Sequence, residues 1–246
     1  MARRPASTIP TYKRRRSRQG SLIGRSIGFI AKLILALLLG SILWVLAYRF
    51  VNPPITMTMI GDITAGRGAA REWMRIDTID RDMIRAAIGA EDSKFCRHDG
   101  FDVEAIEDAM KRNASGGRIR GGSTISQQTA KNAFLWPGRS YLRKGLEAYF
   151  TVLIEVIWDK PRIMEVYLNI AEMGPGIYGV EAAAQHYFNT SAAALNPGEA
   201  ARLAAILPQP IKRDAGNPGR YVKRYARRIE RRARVVRSER IDGCLT

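Results

Sequence analysis

The longest apolar stretch in the chain is Ile27–Tyr48, IGFIAKLILALLLGSILWVLAY. As a helix it spans about 33 Å, enough to cross a bilayer. Asn52-Pro53-Pro54 breaks it. Ile55–Ile63 (ITMTMIGDI) then alternates apolar and polar residues, which predicts a short strand. Helical patterns follow. Asp80 is placed to cap a helix whose Ile84, Ala87, Ile88, Glu91 and Phe95 share one face. Residues 103–113 form a second helix, and Arg118–Gly122 a basic, glycine-rich loop. Ser123 is expected to cap a helix running to about Leu135. A longer helix covers Arg139 to Trp158, and its later part, FTVLIEVIW, is apolar almost all round, so burial at the centre is expected. Asp159-Lys160-Pro161 opens another helix with proline in its first turn. Two more fit 178–188 and 198–207, and Pro208-Gln209-Pro210 ends the compact part. Val222, Tyr225, Ile229, Ala233 and Val236 mark a final amphipathic helix.

The fold class is therefore mainly α behind one transmembrane helix. Strands do not alternate with helices, and neither G-x-G-x-x-G nor a P-loop is present. The domains read as a basic N-terminus at 1–26, an anchor at 27–48, a linker with a short strand at 49–69, a helical domain at 70–211, and a basic helix and tail at 212–246. With 246 residues and 46% hydrophobic side chains, a sizeable core is available and wholesale disorder is excluded. Cys96 and Cys244 cannot by themselves form a disulfide framework or a four-ligand zinc site, and His98 and His186 are too few for a histidine-rich metal centre.

The net charge of +17 is concentrated at the two ends. Residues 1–32 carry nine Lys or Arg and no acid, residues 33–211 nineteen of each sign, and residues 212–240 twelve basic and three acidic side chains. The basic leader places the N-terminus in the cytoplasm and everything after Arg49 across the membrane. Lys32 is close enough to one end of the apolar run to snorkel, while Trp44 and Tyr48 sit near the other end as interfacial aromatics. A cleaved signal peptide is the alternative, but the run is long for one and no A-x-A site follows. The basic tail has the charge to bind nucleic acid. It lies on the wrong side of the membrane for that role, and its apolar face suits packing on the domain. No nucleic-acid partner is expected.

Three clusters carry the candidate chemistry. Glu91 follows Ile84 and Ile88 on an apolar stripe near a helix C-terminus, where burial and the dipole both disfavour its charge. It reads either as a proton acceptor of raised pKa or as half of a structural ion pair, and helix geometry does not choose. Asp92, His98 and Asp102 crowd after it, each with a bland reading as a turn, loop or cap residue. In Gly121–Asn132, GGSTISQQTAKN, Ser123, Thr124, Gln127 and Gln128 offer hydroxyls and amides, with Lys131 a turn further on. This suits a sugar phosphate or, alternatively, a capped surface helix. Glu147 aligns with Phe150, Ile154 and Ile157, with Arg143 and Lys144 at i−4 and i−3 and Arg139 two turns earlier. Two acids on apolar stripes with cations between them suggest glycosyl chemistry on an anionic substrate.

The clusters stand in four ordered motifs: Glu91-Asp92-x-x-Phe95-x-x-His98-x-Gly100-x-Asp102, Gly121–Asn132, Arg143-Lys144-x-x-Glu147, and Lys160–Asn169. Tyr178–Phe188 and Glu199–Pro210 add to them. From about residue 70 to 235 the chain resembles the monofunctional biosynthetic peptidoglycan glycosyltransferases, the family of the glycosyltransferase module of class A penicillin-binding proteins. The resemblance implies a lysozyme-like helical fold and polymerisation of lipid II into β-1,4 glycan strands, with inversion at the donor and release of undecaprenyl diphosphate. It implies Glu91 as general base and Glu147 as the residue that positions the donor diphosphate, with a divalent metal, Mg or Mn, as an aid it leaves open. Lys131 and Arg139 would bear on the departing charge. Asp92, His98, Ser123, Thr124, Gln127, Gln128, Asn132, Arg143 and Lys144 would bind substrate. The resemblance assigns no role to Cys96 or Cys244. The implied partners are lipid II, the growing lipid-linked strand, membrane lipids of the inner membrane, and separate transpeptidases, because no S-x-x-K, S-x-N and K-T-G set follows Pro210. A membrane-bound lytic muramidase is the rival, since fold alone does not separate synthesis from cleavage.

Overall fold

The computed structural model describes residues 19–114, 122–138 and 140–245. The basic residues from Arg3 to Arg18, most of the basic-glycine loop and Arg139 lie outside them. The chain divides into two compact units, residues 1–43 and 44–246. The first holds most of helix α1 (Gln19–Phe50), whose stretch Gly24–Phe50 is long and apolar enough to cross a membrane. Phe29, Leu37 and Leu43 are exposed along it, as a lipid-facing surface requires.

The second unit begins with the last turns of that helix, which belong to its core. Val45 is fully buried, and Trp44 meets Phe134 edge-on with ring centres 5.3 Å apart. The Trp158 indole N–H donates to the Val45 carbonyl at 2.8 Å, and Arg162 donates to the Tyr48 and Val51 carbonyls. The Arg162 bonds cover carbonyls that the helix end leaves unpaired.

Next comes α2 (Met57–Thr64), where the alternation had predicted a strand. Thr56 decides the matter, because its side chain accepts from the Met59 N–H and caps a helix. Apolar residues at 57, 59, 60 and 63 satisfy either period. In the helix Met59 and Asp62 are buried, whereas Met57, Ile60 and Ile63 remain exposed.

The remaining elements are β1 (Ala70–Arg71), α3 (Arg81–Glu91), α4 (Val103–Ala114), α5 (Ile125–Phe134), α6 (Tyr141–Ile157), α7 (Lys160–Ile170), β2 (Glu172–Gly174), β3 (Ile177–Tyr178), α8 (Val180–Phe188), α9 (Pro197–Ile206) and α10 (Arg220–Ser238). Asp80, Ser140, Asp159 and Asn196 cap α3, α6, α7 and α9 through their side chains. The three short strands form one sheet in the order β1-β3-β2, parallel and then antiparallel. Helix α3 packs on α9 and α10, and α5 packs on α6 and α7.

The central buried helix is α7, in which Ile163, Met164, Val166, Tyr167 and Leu168 are wholly covered. The expectation for α6 is corrected. Phe150, Thr151 and Ile154 are buried, but Val152 and Val156 on its other side are 49% and 77% exposed. One face of α6 is therefore apolar and uncovered within the unit. Val222, Ala226, Ile229 and Val236 bury the apolar side of α10. Beyond it Cys244 is joined to Cys96 by a disulfide. One cross-link is not a framework, but nothing in a separation of 148 residues announced it. Arg85 pairs with Asp242 at 2.9 Å and Arg81 donates to the Leu245 carbonyl, so the same segment is also tied to α3 by charge.

Candidate active site

Glu91 is the last residue of α3, and the loop that follows is fixed by its own polar residues. The Asp92 carboxylate is buried and accepts from the Ile125 N–H at 3.0 Å, a free donor at the start of α5. It also accepts from His98 Nε2 at 2.9 and 3.0 Å. Because the Gly100 N–H donates to His98 Nδ1, the ring proton lies on Nε2. The Lys160 ammonium donates to the His98 carbonyl and to Glu155, and sits 4.7 Å from the centre of the Phe95 ring. Gly100 has φ +93, and a Cβ there would meet the Thr151 methyl at 2.8 Å. The first and fourth motifs thus build a rigid seat, with glycine where backbone meets side chain.

The second motif does two jobs. Thr124, not Ser123, caps α5: its hydroxyl accepts from the Gln127 N–H and donates to the Gly100 carbonyl, while Gln127 accepts from the Thr124 N–H. Both side chains are buried and spent on the cap. Asp92 and His98 are likewise occupied with the loop, and none of these four lines the cavities described next. Asp102, as anticipated, accepts from the Ala105 N–H at the start of α4.

Ser123, Gln128, Lys131 and Asn132 face open space. A cavity of about 720 Å³ is lined by Glu91, Ser123, Gln128, Lys131, Arg143, Lys144 and Glu147, together with residues from the α9–α10 region. A second, of about 410 Å³, is lined by Asn132, Leu135, Trp136, Glu172 and Tyr178 among others. The two share Gln128, Lys131, Arg143 and Pro208. At the end of α5, Ala133, Phe134 and Leu135 are buried, and Trp136 after them is exposed.

Glu91 is mostly buried, and Gln128 Nε2 donates to it at 2.9 Å. Burial pushes its carboxyl above the ordinary value and Asp92 adds to this, while Gln128, Arg213 and Lys131 pull it back. Glu147 is buried and bound by Arg143 Nη1 at 3.0 Å and by the Lys144 ammonium. Burial pushes Lys131 below its usual range, against the pull of Glu147. Its ammonium therefore stands poorly solvated between the two acids and gains most from an anion brought beside it.

Among the described residues no three His, Cys, Asp or Glu side chains converge on a metal position. The Glu147 oxygens are already taken by two cations. This donor set does not fit a divalent metal held by the chain, and the cations present can meet a diphosphate directly.

Sequence reasoning missed the far wall of the larger cavity. Arg213, Tyr221, Tyr225, Arg228 and Arg232 line it. The Arg213 guanidinium lies 4.9 Å from the centre of the Tyr221 ring. The signal was the 4-residue spacing of Tyr221 with Tyr225 and of Arg228 with Arg232 beside the apolar stripe, which reads equally as a solvated basic face.

The chain matches the Transglycosylase family over residues 57–239. It is 54% identical over 213 residues to a biosynthetic peptidoglycan transglycosylase of Caulobacter vibrioides, covering 87% of this chain and 93% of that one. It is 51% identical over 203 residues to the protein of that name in Xanthomonas axonopodis pv. citri, covering 80% and 82%. It is 45% identical over 226 residues to one in Rhodospirillum centenum, covering 92% and 98%. With four motifs gathered around one pair of cavities on a mainly helical, lysozyme-like frame, the chain belongs to the transglycosylase family of glycosyltransferases.

Proposed function

We propose that the protein is a peptidoglycan transglycosylase that polymerises lipid II into linear β-1,4 glycan strands. The observation that carries this reading is the desolvated Glu91 carboxylate opening on the same cavity as Lys131, Arg143, Lys144 and Glu147. Burial makes Glu91 a stronger base than a solvated carboxylate. It takes the proton of the acceptor's sugar 4-hydroxyl, and that oxygen bonds to C1 of the donor. The bond from C1 to the diphosphate oxygen breaks on the opposite face, so the anomeric centre inverts. The leaving group departs as undecaprenyl diphosphate, its charge met by Lys131, Arg143 and Lys144. The family resemblance assigns Arg139 to the same task. Glu147 holds Arg143 and Lys144 in place. Ser123, Gln128 and Asn132 bind the sugars, whereas Asp92, His98, Thr124 and Gln127 act by holding the loop.

A lipid-tailed substrate needs an enzyme at the membrane. The apolar helix supplies an anchor, and exposed Ile60, Ile63, Val152 and Val156 supply surface for the lipid interface. The basic leader favours a cytoplasmic N-terminus and a domain across the inner membrane, and the disulfide suits an oxidising compartment. Separate transpeptidases then cross-link the strands.

The test supplies purified protein with lipid II in one tube and finished glycan in another. Polymer in the first and intact glycan in the second is the expected result, and a phosphoglycolipid of the moenomycin type should block it. Cleavage of finished glycan without polymer would identify a muramidase instead.

A further inference from the structure

Glu172 has no part in the reaction above. It starts β2, stands opposite Tyr178 on β3, and lines the 410 Å³ cavity beside Lys131 and Asn132. It is the single carboxylate of that lining among the described residues. The titratable groups that interact with it are Asp62, Arg67, Lys131 and Tyr178, and Arg143 and Tyr167 also line its cavity. Asp62 is fully engaged, with Arg67 on one oxygen at 2.6 Å and the Gly176 N–H and Tyr178 hydroxyl on the other. Those bonds outweigh the effect of burial and hold Asp62 below the usual carboxylate range, so it stays charged. The Glu172 carboxyl is left with no hydrogen-bond or ion-pair partner among the described residues. A half-buried acid without a partner, next to a fixed negative charge, favours its neutral form. Its carboxyl is pushed up to about 7, first by burial and then by Asp62, against the pull of Arg67 and Lys131.

We propose that Glu172 is a proton-linked binding residue for the substrate diphosphate. Neutral, its carboxyl O–H donates a hydrogen bond to a phosphate oxygen held beside Lys131. Ionised, it repels that anion and competes for the Lys131 ammonium. The inference rests on the lipid II reading and adds a proton to it: at alkaline pH, binding takes up one proton. The diphosphate of lipid II is esterified at both ends and keeps a constant charge near neutrality, so the pH dependence belongs to the protein.

The experiment measures KM and kcat for lipid II at about pH 6, 7 and 8. If only the neutral form binds, KM of the unmodified enzyme should rise about ten-fold from pH 6 to pH 8, as the competent fraction falls. In Glu172→Gln, whose amide N–H donates at every pH, KM should not rise. Glu172→Ala, with no donor and no charge, should have a raised and pH-independent KM. The pH dependence of kcat, which passes through Glu91, should persist in both variants. Thermal unfolding of each variant checks that the fold is retained. A flat KM in the unmodified enzyme, or a Glu172→Gln profile parallel to it, overturns the inference while leaving the polymerase reading intact. Failure of the unmodified enzyme to polymerise lipid II at any pH overturns both.

Discussion

Glu91 and Glu147 both sit on apolar stripes, but their surroundings give them opposite characters. Glu91 has one neutral donor, Gln128, and a carboxyl raised by burial. Glu147 has two cations in direct contact. Glu91→Gln should therefore keep the fold, because the new amide oxygen still accepts from Gln128. It should lower turnover by roughly 100- to 10,000-fold, the range for loss of a general base. The sign of the pH effect follows from the same burial. The base works only when ionised, so kcat should fall on acidification through a pKa above the ordinary carboxylate value, and that limb should vanish in the variant. Glu147→Gln should lose activity for a different reason. It strips the charge partner from Arg143, whose Nε already lacks a bond, and unfolding should become easier by about 3 kcal/mol. Calorimetry beside the turnover assay separates the two effects, and an unchanged melting temperature would reject the scaffold role. Both acids were legible because a charge at apolar spacing stands out against its helix. The Ser123–Thr124 choice was also legible in principle, since Gln127 lies three residues after Thr124 and completes a capping box. Glu172 was not legible. Its environment is assembled from residues 62, 67, 131 and 178, which no local window contains.

At the scale of elements, periodicity placed α1 and α3–α10 in order, but it read α2 as a strand and misjudged one face of α6. Apolar positions in α2 fitted two periods, and the Thr56 cap resolved them. Apolar positions around α6 suggested full burial, yet Val152 and Val156 face outward. A sequence shows that a side chain avoids water and not whether protein or lipid replaces it. The loop between α3 and α4 depends on a backbone requirement instead. Gly100→Ala would place a methyl against Thr151 and Glu155 at a positive φ. It should cost more than about 1 kcal/mol and disturb His98 and Asp92 together. A melting temperature within a degree of the unmodified protein would contradict this. The last turns of α1 make a further prediction. A fragment starting at residue 52 loses the Val45 carbonyl that receives the Trp158 N–H and the aromatic contact of Trp44 with Phe134. It should melt lower than one starting at residue 44, and equal melting would show that these turns add nothing to the domain.

For the whole molecule, the neutral middle and basic ends have separate explanations. The N-terminal charge precedes an apolar helix, whereas the C-terminal charge is carried by α10, which buries Val222, Ile229 and Val236 against the domain and turns Arg228 and Arg232 toward the larger cavity. The bond between Cys96 and Cys244 then closes the polypeptide on itself. Reduction should lower stability by about 2–5 kcal/mol, given the length of the loop it constrains, and a reductant that leaves the melting temperature unchanged would disprove this. The closed circuit runs from just beyond the base through Lys131, Glu147 and Glu172 to the final turn. A protease cut within it, for instance by trypsin after exposed Lys212, frees no fragment, because both pieces stay fastened through sulfur. Nicked enzyme should migrate as one species on a non-reducing gel and fall into two only when thiol is added.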